Sequence, residues 1–257
     1  MYFRTLKIAM TFLTILPIKV NGEIGGADMG RAGSLFPLVG MVQGVLLAVP
    51  LLAFKSLVSP TLLASLIIAL SVMINGGFHL DGLSDTFDAL ASRRDREGML
   101  RIMKDGSSGP VGVVSVVLVL ILKVVGLGDI ISGSGGFTGA STILLLSVTG
   151  KWAMLVSFRQ GRQAKPEGLG YTIISNYSAE DHRRGIIIAG AIFLLITLLT
   201  PLGLAPVIVS LLVVYVVTRW LIKLFERAFG GLTGDTLGAV SEVSEVVLIV
   251  TLSMILK

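Results

Sequence analysis

Long apolar stretches alternate with short polar connections along most of the chain. A helix needs about twenty apolar residues to cross a bilayer. Stretches of about this length lie near 36–54, 60–78, 111–127, 138–158, 185–203, 204–222 and 239–256. The pattern predicts an all-α fold, a polytopic transmembrane helical bundle with about seven spans. Only the region from Pro201 to Pro206 separates the fifth and sixth stretches, which predicts a tight helical hairpin there.

The first eighteen residues, MYFRTLKIAMTFLTILPI, have the beginnings of a signal peptide, with Arg4 and Lys7 ahead of apolar residues. No small-residue cleavage site follows, and Pro17 ends the apolar run. We therefore expect an uncleaved N-terminal helix that lies at the membrane interface or is half inserted. The whole chain, 1–257, is expected to form a single integral membrane domain.

Composition supports a membrane protein, since 53% of the residues are hydrophobic and only 14% are charged. The chain has no cysteine and two histidines, which excludes a disulfide framework and a cysteine-based zinc site. Any metal would therefore be held by oxygen ligands. The basic residues lie in short loops without the interleaved aromatic residues that stack on bases, so we do not expect nucleic-acid binding.

Charge also predicts an orientation. Most of the 21 lysines and arginines fall in connections that lie on one side of the membrane if the 79–110 loop does. Cytoplasmic loops retain positive charge, so that side is expected to be cytoplasmic, with Lys55, Lys123 and Lys257 on the far side. Nearly all of the 16 acidic residues follow the bases, Asp129 being the exception. We expect a multi-pass protein of the cell inner membrane whose active face is cytoplasmic.

Residues 79–90, HLDGLSDTFDAL, place three carboxylates beside a membrane span. In a helix over 80–91, Asp81, Asp85 and Asp88 fall within about 60° of one another. Gly82 removes a side chain next to Asp81, so a ligand or a neighbouring backbone can come close. Three carboxylates on one face repel each other unless they share a cation, and Mg²⁺ with phosphate oxygens is the usual reason for such a site. The alternative is a solvated polar face on an amphipathic connector.

A second acidic stripe lies in GGLTGDTLGAVSEVSE, residues 230–245. Asp235, Glu242 and Glu245 fall within about 80° of one another in a helix, and the two glutamates lie in the first turns of the last span. Carboxylates at membrane depth are costly, so they mark a cation, a base or a water-filled cavity. The alternative is a pair of interfacial acids bound to Arg219 or Arg227.

Groups suited to phosphate lie between the two stripes. MKDGSSGPVG, residues 103–112, combines Lys104 with a Gly/Ser turn whose backbone N–H groups can face an anion at the start of the next helix. Lys151 lies in an apolar stretch and needs an anionic partner. The candidate substrate-binding residues are Arg31, His79, Arg101, Lys104 and Lys151.

Five segments of the chain resemble those of the adenosylcobinamide-GDP ribazoletransferase family, the cobalamin synthases. They are RAGSLFPLVG (31–40), GGFHLDGLSDTFDAL (76–90), MLRIMKDGSSGPVGV (99–113), KPEGLG (165–170) and GGLTGDTLGAVSEVSE (230–245). The resemblance implies a Mg²⁺-dependent polytopic membrane enzyme. Its reaction would join α-ribazole, or α-ribazole 5′-phosphate, to adenosylcobinamide-GDP, release GMP and give adenosylcobalamin or its 5′-phosphate.

Roles follow from the two stripes and the expected chemistry. Transfer at a pyrophosphate requires metal ions, cationic clamps and positioning. The predicted metal ligands are Asp81, Asp85, Asp88, Asp235 and Glu242. The predicted catalytic residues are Asp81, Asp88 and Glu245, with Asp88 or Glu245 as the general base because a base must not be committed to a metal.

Two other functions are compatible with a helix-borne aspartate cluster. A CDP-alcohol phosphotransferase runs related chemistry but spreads its aspartates over about twenty residues, unlike the compact 81–88 triplet. An ion-coupled transporter tends to show inverted repeats and broken helices at the midplane, and this chain has no clear repeat. The expected partners are the two substrates, the lipid bilayer and a second copy of the chain in a homo-oligomer.

Overall fold

The computed structural model describes residues 2–165 and 167–256. These ranges contain 11 helices and no strand, which confirms the all-α prediction. The helices are α1 (Tyr2–Leu13), α2 (Gly26–Gly33), α3 (Phe36–Phe54), α4 (Pro60–Asn75), α5 (Phe78–Ala91), α6 (Arg96–Ile102), α7 (Pro110–Gln160), α8 (Leu169–Ser175), α9 (Ala179–Leu199), α10 (Leu204–Phe229) and α11 (Gly234–Ile255). The short helices α2, α6 and α8 lie in connections for which the apolar pattern predicts no element.

Five helices, α3, α7, α9, α10 and α11, are long and apolar enough to cross a membrane. Helices α4 and α5 meet the same criterion as a pair, although they are bent by 89°. Helix α7 has 51 residues, or about 76 Å, more than twice the hydrocarbon thickness of a bilayer. The non-helical backbone of Gly135, with φ 86° and ψ 168°, divides α7 into two arms, which match the predicted stretches 111–127 and 138–158.

The turn between α4 and α5 ends the predicted stretch 60–78 early. Gly76 and Gly77 have φ values of 63° and 73°, which residues with a side chain rarely adopt. The N–H groups of Gly76 and Gly77 donate to the carbonyls of Met73 and Val72, both at 3.1 Å, and close α4 in the usual glycine-terminated way. Helix α5 therefore leaves at a steep angle, and it confirms the helix predicted over 80–91.

Helices α9 and α10 are joined by residues 200–203 alone, as the prolines there predict. They do not form a tight hairpin, however, because α9 packs mainly on α7 and α3 while α10 packs mainly on α11. The predicted hairpin packing is therefore wrong.

The N-terminal helix α1 has 12 residues, about 18 Å, and is too short to span a bilayer. Its buried face, with Ile8, Ala9 and Leu13, packs on the bundle. Arg4 ties the following connection to α1 by donating to the carbonyl of Glu23 at 2.7 Å and pairing with Asp28 at 3.0 Å. The Arg4 guanidinium lowers the pKa of the Asp28 carboxyl.

Helix α5 packs against α11 through glycines. A Cβ on Gly82 would lie 2.7 Å from the carbonyl oxygen and 2.8 Å from the Cα of Asp235. A Cβ on Gly238 would lie 3.1 Å from the Cα of His79. The two backbones are therefore in direct contact, which confirms the close approach predicted at Gly82.

We expect Gly82→Ala to lower the apparent melting temperature of the protein in detergent. The added methyl group has no space against the Asp235 backbone, and overpacking of this kind costs about 1–3 kcal/mol. Gly190→Ala is the matched control, because Gly190 also lies within a helix and no atom comes within 4 Å of its missing Cβ. It should gain up to about 1 kcal/mol of helix propensity. Equal behaviour of the two variants would contradict the close packing of α5 on α11.

Candidate active site

A cavity of about 510 Å³ lies where α5 and α11 begin. Its walls come from six parts of the chain that the fold brings together: the end of α1, the start of α5, the residues after α6, the second arm of α7, the connection after α7 with the start of α8, and the start of α11. The lining residues include Phe12, Phe78, His79, Asp81, Lys104, Lys165, Glu167, Gly168, Gly170, Thr233, Gly234 and Asp235. The cavity therefore combines carboxylates, lysines and glycine backbone.

The start of α11 is fixed by its own cap and by the connection after α7. The Thr236 N–H donates to the Thr233 hydroxyl at 3.2 Å, and the Thr233 N–H donates to the Thr236 hydroxyl at 2.8 Å. Leu232 exchanges backbone hydrogen bonds with Arg162 and Ala164, at 2.7 and 3.0 Å. These bonds hold the first turn of α11, and with it Asp235, in the cavity wall.

The structure brings three of the predicted metal ligands together. Asp81 is exposed and Asp235 is half-buried, and both line the cavity. Asp85 is 8% exposed, and the charges of Asp81, Asp235 and Asp88 all act on it. In residues 2–165 and 167–256, however, no three acidic or histidine side chains are arranged to hold a metal ion by themselves.

Asp81 also borders a second cavity, of about 550 Å³. This one lies between α5 and the first arm of α7, and its walls are mostly apolar. They include Gly76, Gly77, Phe78, Leu80, Val113, Val116 and Val117. Asp81 therefore borders two cavities, of which the first also has lysines in its wall.

Asp88 has a different environment from Asp81. Its carboxylate accepts the N–H of Gly109 at 2.6 Å and the N–H of Gly112 at 2.8 Å. These N–H groups lie at the start of α7 and have no partner within the helix. The helix dipole also favours a negative charge there. The turn at 103–112 thus does face an anion, as its composition predicts, but the anion is the Asp88 carboxylate.

Glu242 and Glu245 are separated from the cavity carboxylates. Both are 4% exposed, and the Lys123 ammonium lies 2.6 Å from a carboxylate oxygen of each. The fold therefore does not bring Glu242 to the cavity that Asp81 lines, as the predicted set of metal ligands requires. The predicted far-side position of Lys123 is wrong as well, because this lysine is buried within the bundle. The alternative partners considered for these acids, Arg219 and Arg227, are not the ones that bind them.

His79 lines the cavity, and Lys151 lies directly behind it in the bundle. Lys151 is fully buried, with its ammonium 3.4 Å from Nδ1 of His79 and 3.8 Å from Oε1 of Glu245. Its predicted anionic partner is therefore present in the bundle. His79 itself lines the cavity and is 8% exposed.

The remaining predicted substrate contacts divide into two sets. Lys104 lines the cavity and forms an ion pair with Glu167 across it, and the hydrogen bond from Lys104 lowers the pKa of the Glu167 carboxyl. Arg31 and Arg101 are exposed on α2 and α6 and do not line the cavity. A direct substrate contact by either arginine stays a prediction that the cavity geometry does not favour.

Three residues near the site are absent from the sequence-based candidates. Lys165 and Glu167 lie in the KPEGLG segment. Their place in the site depends on the fold, which brings them to the same cavity as Asp235. Lys123 had a clearer signal, since a lysine inside an apolar span needs an anionic partner. The charge count places Lys123 on the far side of the membrane and does not take this need for a partner into account.

The fold and the cavity define a polytopic helical membrane protein with a site that combines carboxylates and lysines at one end of the bundle. Over residues 5–253 the chain matches the family model described as cobalamin-5-phosphate synthase. It therefore belongs to that family, whose curated members are transferase enzymes of cobalamin synthesis.

Its relatives match over nearly their whole length. A protein of Pseudomonas syringae pv. syringae named adenosylcobinamide-GDP ribazoletransferase is 39% identical over 253 residues, 96% of this chain and 98% of the relative. Proteins of the same name from Pseudomonas savastanoi pv. phaseolicola and Thermoanaerobacter pseudethanolicus are 37% and 32% identical, over 96% and 94% of this chain and 98% and 94% of the relatives. No solved structure matches the chain.

We expect Lys123→Met to destabilise the protein strongly, by about 3–5 kcal/mol, because it leaves two buried carboxylates with too little positive charge. The double change Lys123→Met/Glu242→Gln should recover much of this loss, since Glu245 then remains with Lys151. Lys55→Met is the control. Lys55 is exposed, and its ammonium lies over the ring of Phe137. Thermal unfolding in detergent measures all three, and a Lys123 variant as stable as the Lys55 variant would refute the buried ion pairs.

Proposed function

We propose that this chain is a Mg²⁺-dependent transferase that joins α-ribazole, or α-ribazole 5′-phosphate, to adenosylcobinamide-GDP and releases GMP. Its full-length relatives carry the name of this activity. The observation that carries the proposal is the cavity in which Asp81 and Asp235 face Lys104 and Lys165. Carboxylates opposite lysines suit a substrate whose reacting part is a pyrophosphate.

The reaction makes one bond and breaks one bond at phosphorus. A ribose hydroxyl oxygen attacks the phosphorus attached to cobinamide, the bond from that phosphorus to the GMP oxygen breaks, and GMP leaves. A protein contributes mainly positioning and charge stabilisation to such a transfer. Lys104 and Lys165 are placed to bind phosphate oxygens, and the Glu167 carboxylate holds Lys104 until a phosphate replaces it.

The cavity carboxylates fit a magnesium ion. Mg²⁺ usually keeps several waters and is held by one or two carboxylates together with substrate phosphates, rather than by a closed protein cage. Asp81 and Asp235 would hold it, and the lack of a group of three ligands in the described part of the chain agrees with a site that the substrate completes. When bound, the ion supplies charge stabilisation for the phosphate oxygens.

The proton of the attacking hydroxyl needs an acceptor within hydrogen-bond reach. Asp88 and Glu245 are the acceptors that the sequence suggests, but Asp88 binds the start of α7 and Glu245 binds Lys123 within the bundle. Asp81 and Asp235 are assigned to the ion, so we assign this proton to Glu167, which also lines the cavity and is freed when a phosphate replaces it on Lys104.

Asp81→Asn and Asp235→Asn should each reduce GMP release by at least about a hundredfold while the protein still folds, because the change keeps size and removes charge. Asp95→Asn is the control. Asp95 is exposed and caps α6 through the Gly98 N–H at 3.0 Å, a role that asparagine also fills. The assay follows GMP release that requires both substrates, with and without a chelator of Mg²⁺. Release without α-ribazole, or without Mg²⁺, would contradict the proposal.

We also propose that the cavity opens to the cytoplasm. Arg94 follows α5 near the cavity, whereas Asp129 lies beside Ser253 and Leu256 at the far end of α11. Helix α11 has 22 residues, about 33 Å, so its ends lie on opposite sides of a bilayer. The basic connections share the side of Arg94, which the positive-inside rule makes cytoplasmic.

Single-cysteine labelling tests this orientation, and the chain has no cysteine of its own. In sealed vesicles of inside-out membrane, an impermeant thiol reagent should label Arg94→Cys and spare Asp129→Cys. In right-side-out spheroplasts the result should be reversed. Labelling of both positions from one side would overturn the proposed topology.

A further inference from the structure

Lys151 touches no open part of the cavity, yet it contacts a residue that does. It is fully buried, with 0% of its surface exposed. Its ammonium lies against Nδ1 of His79 at 3.4 Å, and the His79 ring lines the cavity. Nδ1 is thus engaged within the bundle, which leaves Nε2 as the ring nitrogen available to a ligand.

The neighbouring charges determine which partner donates in that contact. Lys123 lies 2.6 Å from both Glu242 and Glu245, and Lys151 lies 3.8 Å from Glu245. Two buried carboxylates are therefore balanced only if both lysines are ammonium ions. An ammonium group has three donors and no acceptor. The contact then has one direction: Lys151 donates, and Nδ1 of His79 accepts.

A neutral imidazole that accepts at Nδ1 carries its hydrogen on Nε2. The backbone of α11 restrains the same residue from the other side, because a Cβ on Gly238 would lie 3.1 Å from both the Cα and the carbonyl oxygen of His79. The backbone position of His79 is thus restrained by α11, and its tautomer by Lys151, which lies outside the cavity lining.

We propose that Lys151 is a positioning residue that fixes His79 with its hydrogen on Nε2, so that the cavity presents one oriented N–H donor to a phosphate oxygen of the substrate. The proposal rests on the proposed function for the identity of the ligand. It gives Lys151 a role without substrate contact and gives His79 a role as a neutral donor. A lysine that serves only to balance Glu245 is the competing explanation.

The tautomer itself is a direct test that needs no substrate. The chain has two histidines, so ¹⁵N-histidine labelling of His182→Gln protein in detergent isolates His79. We expect a protonated-type resonance for Nε2 and an unprotonated-type resonance for Nδ1. Lys151→Met should convert this single pattern into a mixture. A wild-type protein with its hydrogen on Nδ1 would overturn the proposal.

A double substitution that removes one buried lysine and one buried carboxylate distinguishes the positioning role of Lys151 from a role in charge balance. Lys151→Met/Glu242→Gln leaves Lys123 with Glu245, so this double variant should melt close to the unmodified protein. Its His79 resonances should still show the mixture, because the donor to Nδ1 is missing. Restoration of the single tautomer in this variant would mean that Lys151 only balances charge.

Steady-state kinetics of single and double variants provide the last test. His79→Gln keeps an N–H donor near the position of Nε2 but has no tautomer to fix. In the otherwise unmodified protein, Lys151→Met should lower kcat/KM for adenosylcobinamide-GDP about tenfold, the usual effect of losing a hydrogen bond to a charged group. In a His79→Gln background the same change should cost less than about twofold. Equal losses in both backgrounds would refute the coupling, whereas absence of GMP release from the unmodified protein would refute the proposed function and leave the tautomer result standing.

Discussion

The direct backbone contact between α5 and α11 is the constraint on which the site depends. Gly82 and Gly238 let the two helices approach until atoms of one helix touch the backbone of the other. That contact places Asp81 beside Asp235 and lays His79 across the start of α11. Side chains at these two positions would separate the helices by the width of a methyl group or more. The carboxylates would then no longer share one cavity, however well each helix formed by itself.

The acidic residues of α5 and α11 fall into three groups by what they contact. Glu242 and Glu245 share the buried ammonium of Lys123. Asp88 receives two backbone N–H groups at the start of α7. Asp81, Asp85 and Asp235 take part in none of the ion pairs found in residues 2–165 and 167–256. Crowded carboxylates without a positively charged partner repel one another, so a cation would be stabilised most at these three.

Local patterns predicted what depends on local geometry. Helical spacing placed Asp81 and Asp85 together on α5, and the missing side chain of Gly82 predicted a close backbone neighbour. Spacing cannot show which partner each acid finds at a distance along the chain. Lys123 is 119 residues from Glu242, and the start of α7 is 21 residues from Asp88. Asp88 shares a helical face with Asp81, and Glu242 shares one with Asp235, yet neither lines the cavity. The two ends of one helical face contact different neighbours.

The position of the buried ion pairs also bears on whether this bundle conducts ions. Glu245 lies ten residues beyond Asp235 on α11, about 15 Å deeper in the bundle. A proton or ion relay at that depth needs carboxylates that are accessible from water and free to change partners. Glu242 and Glu245 are instead 4% exposed and held at 2.6 Å by Lys123, while Lys151 closes the space above them against His79. The cavity therefore ends against buried, charge-balanced side chains, which suits a reaction compartment open at one end and argues against a transport path through these acids.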